Sequence, residues 1–171
     1  LSGINFATHY LAFTGRSLRP YRLDPEVRCF LVIILGAALC IALYLWRHGI
    51  YPQFWTALRH SLFNVVSIAT TTGYATVDFA LWPMFAPLLM LLLCGFVTSA
   101  GSTGGGIKMI RAILLYRIVY RELLRAVHPN AIYNIRIGTQ VMPQNILFAS
   151  LAFCFVYMLS IIILTLLLTF T

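Results

Sequence analysis

Residues 70–76 have the sequence Thr-Thr-Thr-Gly-Tyr-Ala-Thr, and this stretch decides how the rest of the chain is interpreted. It carries no charge, it is rich in β-branched Thr, and Gly73 stands at its centre, so its composition disfavours a continued helix. The segment before it, 52–69, begins with Pro, as helices often do, and contains Arg59, His60 and Asn64. That helix is too polar to face lipid.

The composition of the whole chain is that of a membrane protein. Of its 171 residues, 61% are hydrophobic and 9% are charged. Soluble domains are about half apolar and about a quarter charged, so that class is excluded, as are disordered and disulfide-rich chains. At roughly 20 residues per crossing, the length allows three or four membrane helices. The chain lacks an initiator Met and ends in an apolar run, so we expect a piece of a longer protein.

The positive charges lie in two clusters, although the formal net charge is +8. Basic residues concentrate before the first long apolar run and after the second, and few lie between. The positive-inside rule places both clusters on the cytoplasmic side. Topology and contact with anionic lipid therefore explain the charge better than nucleic-acid binding does. The clusters are Arg16, Arg19, Arg22 and Arg28, then Lys108, Arg111, Arg117, Arg121, Arg125 and Arg136.

Two apolar runs, 29–46 and 83–100, are long enough to supply the complete crossings between these cytoplasmic clusters. Two crossings take the chain from the cytoplasmic side to the outer side and back again. The segment 52–69, which lies between them, must therefore enter and leave the membrane on the outer side. A short polar helix followed by the extended stretch 70–76 is therefore predicted to be a re-entrant loop. Such backbone occurs at membrane depth only where it is buried in protein or lines a water-filled path.

A cation that crosses a membrane must exchange its water shell for other oxygen atoms, and closely spaced backbone carbonyls can supply them. The stretch 70–76 is suited to this role. Successive carbonyls turn to the same side only when some residues adopt left-handed conformations, which Gly73 tolerates. Tyr74 is expected to brace the strand from behind, and the end of the preceding helix directs about half a negative charge toward the ion. The alternative is an ordinary Gly turn between helices.

A second unusual stretch, Gly101-Ser102-Thr103-Gly104-Gly105-Gly106, separates the apolar run from a basic helix predicted at 107–127. Three consecutive Gly cost roughly 3 kcal/mol relative to Ala in a helix, so the second crossing helix is broken. A phosphate-binding loop is excluded because Ile107 stands where that motif has Lys. Two interpretations remain, a passive kink or a loop that switches conformation to open a path. Lys108 either repels cations or marks the cytoplasmic interface.

These features in combination resemble a known family. Thr71-Thr72-Gly73-Tyr74 after an amphipathic helix is similar to the K⁺-channel filter TVGYG, with Ala75 at the place of the second Gly. A single-glycine filter followed by a helix broken at Gly-Ser-Thr-Gly-Gly-Gly-Ile-Lys resembles the Trk/Ktr/HKT superfamily of cation transporters, and within it the TrkH-type membrane subunits. Residues 3–10, Gly-Ile-Asn-Phe-Ala-Thr-His-Tyr, are similar to the end of the second repeat in that family.

The resemblance implies an all-α transmembrane fold of four K⁺-channel-like helix–pore loop–helix repeats around one pore. This chain would contain the third repeat, with a pore helix, a filter, a gating loop and a broken second helix. The implied divisions are 1–13 as the end of the preceding repeat, 14–28 as a cytoplasmic loop, 29–127 as the repeat (pore helix 52–69, filter 70–76, gating loop 101–106), 128–143 as a cytoplasmic loop and 144–171 as the first transmembrane helix of the next repeat.

The resemblance also implies residue roles. The filter contacts would come from Thr71, Thr72, Gly73 and Tyr74, with K⁺ itself held at Thr72 and Gly73. The gating loop would comprise Gly101, Ser102, Thr103, Gly104, Gly105 and Gly106, with Lys108 just inside it. From the residues alone, Asp78 either concentrates cations at the outer mouth or caps the helix that begins near Trp82. Arg59 needs an acidic partner, for which Asp78 or an acid elsewhere in the protein is a candidate.

The implied function is K⁺ uptake, passive or by symport with Na⁺ or H⁺, by a multi-pass protein of the bacterial inner membrane. The alternatives are a non-conducting assembly subunit and a Na⁺-permeable or K⁺–Na⁺ cotransporting relative. The implied partners are membrane lipid, a cytoplasmic nucleotide-binding regulatory subunit of the TrkA type and a second copy in a homodimer, with K⁺ as the transported ion and no other cofactor. An enzyme is not expected, because Asp24 and Asp78 lie on opposite sides and no nucleophile–base pair is present.

Overall fold

A computed structural model describes residues 3–128, 135–137 and 140–170 of the chain. The chain divides into two units, Leu1–Met109 and Ile110–Thr171, which are described separately. The described helices and strands, in chain order, are α1 Phe6–Thr14, α2 Arg19–Leu23, α3 Pro25–Arg47, α4 Phe54–Ala69, α5 Phe85–Cys94, α6 Met109–Val127, β1 Arg136–Ile137, β2 Gln140–Val141 and α7 Gln144–Thr169. A short 3₁₀ turn, Phe79–Leu81, precedes α5.

The first long helix, α3, begins at Pro25 and not at Cys29, where the apolar run starts. Asp24 caps it, since its Oδ1 accepts from the backbone N–H of Glu26 at 2.9 Å, and Pro25 occupies the first helical position. At 23 residues, α3 is long and apolar enough to cross a membrane. The predicted crossing at 29–46 therefore lies inside a helix that starts with a polar first turn.

The core of the first unit is the contact between α3 and α4. One face of α3 is buried at helical spacing, and it includes Ala37, Ala38, Ile41, Ala42 and Leu45. Small Ala side chains on this face allow the backbone of α4 to approach closely. The opposite face of α3 exposes large apolar side chains such as Val32 and Leu35. This packing fixes the position of α4, on which the polar stretch that follows is built.

The apolar run 83–100, predicted as the second crossing, is helical only as far as Cys94, where α5 ends. Ten helical residues span about 15 Å, which is half of a bilayer core of about 30 Å. The reason is that the returning chain takes the carbonyls that a longer helix would use. Ile107 donates its N–H to the Gly95 carbonyl at 2.6 Å, and Met109 donates to the Thr98 carbonyl at 2.7 Å. The helix is broken, as predicted, but over Gly95–Lys108 and not only over Gly101–Gly106.

The segment expected as the loop 14–28 also contains structure, because α2 lies within it and α3 begins before it ends. The segment expected as the end of a preceding helix, 1–13, contains α1, which begins after Asn5; Leu1 and Ser2 lie outside the described residues. The Asn5 side chain caps α1 by accepting from the Ala7 N–H at 2.9 Å.

In the second unit, buried side chains of α6, of α7 and of Ile135, the residue just before β1, meet in a small apolar cluster of Leu114, Ile118, Ile135 and Leu147. The guanidinium of Arg111 lies 3.9 Å from the centre of the Phe153 ring. The segment predicted as the loop 128–143 contains a short antiparallel hairpin, so the described fold is helical but not purely α. Pro129, which follows the basic helix, and Thr171 lie outside the described residues. At 26 residues, α7 is the second helix long and apolar enough to cross a membrane.

Candidate functional site

The chain reverses direction at the end of α4, and the stretch 70–76 runs back beside it. The N–H of Thr72 donates to the Ser67 carbonyl at 2.8 Å, and the N–H of Gly73 reaches the same oxygen at 3.4 Å. Further along, the N–H of Thr76 donates to Oδ1 of Asn64, one helical turn earlier in α4, at 3.3 Å. The stretch is therefore fastened to the helix at two points, one near each of its ends.

The backbone dihedral φ alternates in sign through the first four residues of this stretch. Thr70 has φ −89°, Thr71 has φ +55°, Thr72 is negative and Gly73 has φ +85°. Residues that alternate between right- and left-handed conformations direct successive peptide groups toward one side, whereas a regular strand alternates them. The left-handed Gly73 agrees with the sequence analysis. Thr71 was not predicted to be left-handed, because β-branched residues rarely are.

Thr71, Thr72, Gly73 and Tyr74 are all exposed in this chain. The Tyr74 ring, expected to brace the stretch from behind, is 71% exposed and lines an open groove. The groove has a volume of about 560 Å³ and lies between one face of α4 and the side chains of Thr70, Thr72 and Tyr74. The Thr70 and Thr72 hydroxyls are 2.8 Å apart on its wall.

The side chain that does support the stretch from behind is Asn64, which sequence reasoning missed. It is fully buried and contacts Thr76 through both its oxygen and its nitrogen. His60, one turn earlier, places Nδ1 3.1 Å from Oγ1 of the same Thr. The available signal was an uncharged polar Asn within the amphipathic helix predicted at 52–69, but nothing in the sequence indicates its burial or its partner.

The loop Gly95–Lys108 is closed by hydrogen bonds among its own residues. Oγ1 of Thr98 donates to the Gly105 carbonyl at 2.9 Å. The Lys108 ammonium donates to the carbonyls of Ser102, at 3.0 Å, and Gly104, at 2.6 Å. Gly106 has φ +94°, and a Cβ there would overlap the Gly95 carbonyl, so only Gly fits this position.

Contacts from distant parts of the chain hold the middle of this loop. Oε2 of Glu26, a buried carboxylate in the first turn of α3, accepts from the Ala100 N–H at 2.8 Å. Ser99 donates its N–H to the Gly3 carbonyl at 2.9 Å, and Phe6 donates its N–H to the Gly101 carbonyl at 3.3 Å. Residues 99–101 are thus held between the first turn of α3 and residues 3–6, at the start of α1.

The glycine-rich loop also reaches the Thr-rich stretch. The N–H of Gly105 points to Oγ1 of Thr71, with 3.4 Å between the two heavy atoms. The two segments that the sequence analysis singled out therefore meet, although 34 residues separate Thr71 from Gly105. Thr103, which belongs to the predicted gating set, lies in the same loop.

Asp78 and Arg59 do not form an ion pair within the described residues, so the pairing suggested from the sequence is wrong for Asp78. Oδ1 of Asp78 instead accepts from the Ala80 N–H at 3.0 Å and caps the 3₁₀ turn Phe79–Leu81. Asp78 is thus a capping residue, as one of the two alternatives predicted, but it caps this 3₁₀ turn and not the helix expected near Trp82. Arg59 is exposed on the groove beside the Thr-rich stretch.

Comparisons with known proteins point to one family. The family described as TrkH, cation transport protein, matches residues 1–170. The chain is 44% identical over 163 residues to the Trk system potassium uptake protein TrkH of Salmonella typhimurium, an alignment that covers 95% of this chain and 34% of that protein. It is 31% identical over 159 residues to TrkG of Escherichia coli, covering 93% of this chain and 33% of that one.

A solved structure agrees with the sequence comparisons. The crystal structure of the potassium transporter TrkH from Vibrio parahaemolyticus is similar to this chain with a TM-score of 0.89 and 40% identity. The likeness covers 95% of this chain and 35% of that one, so the chain spans about a third of the length of these relatives.

Proposed function

This chain belongs to the TrkH family of cation transport proteins, and we propose that it supplies the third of four repeats of a K⁺ uptake protein. In this proposal residues 70–76 are one strand of the selectivity filter, α4 is the pore helix and residues 101–106 are the gating loop. Helix α1 ends the second repeat and α7 begins the fourth. One repeat cannot surround an axis, so the other repeats of the full-length protein complete the path.

The observation that carries the proposal is the alternation of φ between Thr70 and Gly73. A row of carbonyls directed to one side is the arrangement that replaces the water shell of K⁺. Thr72 and Gly73 would supply the central carbonyls for the ion, and Thr71 and Tyr74 would flank them. All four residues are exposed, as they must be if the strand borders a path completed by other repeats.

The electrostatics of the site also favour a cation. The stretch 70–76 contains no charged side chain. The last carbonyls of α4, a helix of 16 residues, lie beside Thr71 and Thr72 and carry the negative end of the helix dipole. A dehydrated monovalent cation is stabilised by such fixed dipoles without the desolvation cost of a full ion pair.

The open groove beside Tyr74 supports a place within a larger assembly. It is mostly apolar and lies along the face of α4 that does not pack on α3. Arg59 is exposed on the same groove, so an acid in another repeat remains the expected partner for this cation. The groove is where a neighbouring repeat would pack.

The contact between Gly105 and Thr71 supports the gating role of the glycine segment. A loop that meets the first residues of the filter strand would obstruct the path in this conformation and open it by withdrawing. Shortening the segment by deleting Gly104–Gly106 should raise the resting ion flux of the full-length protein. An unchanged resting flux would place the gate elsewhere.

The cellular setting follows from the family resemblance. We propose a multi-pass protein of the bacterial inner membrane that acts as a homodimer and contacts membrane lipid. A cytoplasmic nucleotide-binding subunit of the TrkA type would act on the gating loop through α6, which begins one residue after Lys108. Symport with Na⁺ or H⁺ is part of the same proposal, and the transported ion is K⁺.

The filter assignment is tested with a matched pair of Gly variants in the full-length protein, G73S and G49S. Both positions have positive φ, +85° and +69°, and a Cβ at either meets no atom within 4 Å. The backbone penalty of Ser is therefore similar at both, about 1–2 kcal/mol. Rb⁺ uptake and the K⁺/Na⁺ preference should fall in G73S and stay at the wild-type level in G49S.

Equal behaviour of G73S and G49S would contradict the filter assignment. Parallel uptake assays with Rb⁺ and with Na⁺ in bacteria that lack other K⁺ uptake give both readouts. A wild-type protein that takes up Na⁺ as readily as Rb⁺ would favour the Na⁺-permeable alternative.

A further inference from the structure

We propose that Asn64 is a positioning residue that fixes the outer part of the filter strand and thereby sets the preference for K⁺ over Na⁺. The proposal rests on the proposed function, because it assigns a role to a side chain behind the strand that this function identifies as the filter. Asn64 would not touch the ion. It would act through Thr76, the last residue of the stretch 70–76.

The hydrogen-bond partners of Asn64 are compatible with only one orientation of its side-chain amide. Its Oδ1 accepts from the N–H of Thr76 at 3.3 Å, while its Nδ2 donates to the His60 carbonyl at 2.9 Å and to Oγ1 of Thr76 at 3.3 Å. A flipped amide would place its NH₂ group against the Thr76 N–H, which can only donate. The side chain is 0% exposed, so water cannot replace a lost partner.

Thr76 is held from a second direction by His60. The Nδ1 atom of His60 lies 3.1 Å from Oγ1 of Thr76. Oγ1 of Thr76 also accepts from Nδ2 of Asn64, so the three side chains form a continuous chain of hydrogen bonds. The His60 ring stacks on Tyr51 with 5.4 Å between ring centres and a 20° angle between planes, which restricts its orientation.

The two ends of the strand depend on different contacts. The N–H groups of Thr72 and Gly73 are held by the Ser67 carbonyl of α4, a backbone contact that no side-chain substitution removes. Beyond Gly73, the described side-chain support comes from Asn64 and His60 at Thr76. Loss of Asn64 should therefore loosen the strand between Gly73 and Thr76 and leave its first residues in place.

Such loosening should affect selectivity before it affects flux. A filter prefers K⁺ when its carbonyls are held against collapse onto the smaller Na⁺, whereas conduction needs only weak binding at several sites. The K⁺/Na⁺ permeability ratio should therefore fall by about fivefold on loss of a single buried hydrogen bond, with Rb⁺ flux retained. A role in folding alone would lower the amount of protein and leave the ratio unchanged.

The test uses the full-length protein in proteoliposomes, with K⁺/Na⁺ permeability ratios measured for N64L, T76V and T76S. T76V removes only the hydroxyl that Asn64 and His60 share, and T76S restores it. The matched control is S61A, which changes another fully buried polar residue of α4, one whose hydroxyl has no hydrogen-bond partner in the described structure.

The expected result is a lowered ratio in N64L and T76V, and a ratio near the wild-type value in T76S and S61A. A wild-type ratio in N64L would overturn the proposal, as would an equal fall in S61A. If N64L does not reach the membrane, the comparison of T76V with T76S decides. If G73S changes uptake while neither N64L nor T76V changes the ratio, the filter stands and only the role of Asn64 fails.

Discussion

The backbone N–H of Gly105 lies 3.4 Å from Oγ1 of Thr71, and this contact joins the glycine-rich loop to the first left-handed residue of the Thr-rich stretch. Thr71 thus has two roles in the proposed pore. Its backbone, at φ +55°, begins the turn of the filter carbonyls, and its side chain receives the gating loop. The position of the loop in this structure and the conformation of the strand are therefore coupled through one residue.

Replacing Thr71 by Val should raise the resting Rb⁺ flux of the full-length protein by about fivefold. The substitution removes the oxygen that accepts from Gly105, which contributes about 1 kcal/mol, and keeps the β-branched shape. T71S retains the oxygen and should behave like the wild type. Equal resting flux in T71V and T71S, measured without the regulatory subunit, would show that the contact does not hold the gate.

Replacing Lys108 by Met should raise the resting flux more, by tenfold or more. The ammonium donates to the carbonyls of Ser102 and Gly104, and hydrogen bonds to charged groups contribute about 1.5–3 kcal/mol. The same flux assay checks the result. The control R117Q removes an exposed cation from α6 and leaves the loop unchanged. If the resting flux rises as much in R117Q as in K108M, loss of positive charge and not loss of the two hydrogen bonds explains the rise.

Replacing Glu26 by Ala should destabilise the protein by about 1–3 kcal/mol, because the Ala100 N–H loses its acceptor inside the structure. E26Q keeps a carbonyl oxygen at the same place and should lose less. Thermal unfolding of the full-length protein in detergent provides the comparison. If E26Q is as unstable as E26A, the negative charge matters and the hydrogen bond does not.

Replacing Gly3 by Ala should also be destabilising, by about 1–3 kcal/mol. A Cβ at Gly3 would lie 2.8 Å from the Phe30 ring and 2.8 Å from Cγ2 of Thr70. Ala at Gly36, within α3, meets no atom within 4 Å and should be neutral or stabilising by up to about 1 kcal/mol. Thermal unfolding of both variants checks the prediction, and equal stabilities would show that the segment before α1 does not pack against Thr70 as described.

The features that could be predicted from the sequence are those determined by neighbouring residues. The polar helix before Thr70, the break at the glycine-rich segment and the left-handed Gly73 all follow from residue chemistry within a few positions. The start of α3 could also have been predicted, since Asp24, Pro25 and Glu26 form a helix-capping signal. It was placed at Cys29 instead because the apolar run begins there.

The contacts that define the site were not predictable, because they join positions far apart in the chain. Glu26 and Ala100 are separated by 74 residues, and no spacing rule connects them. The early end of α5 depends on Gly95 accepting from Ile107, which is known only once the chain is seen to return. Tyr74 was expected to brace the stretch 70–76, yet the fully buried Asn64 makes the contact with it, because burial is set by how α4 packs on α3.

The central claim, that Thr72 and Gly73 hold the transported ion, is tested most directly by anomalous diffraction from crystals of the full-length protein grown with Rb⁺. Rb⁺ scatters anomalously and replaces K⁺ in sites made of carbonyl oxygens. We predict an anomalous peak within direct coordination distance of the Thr72 and Gly73 carbonyls, and its loss in G73S but not in G49S. The claim would be contradicted if the wild-type protein conducts Rb⁺ in liposomes but its Rb⁺-grown crystals show no peak at these carbonyls.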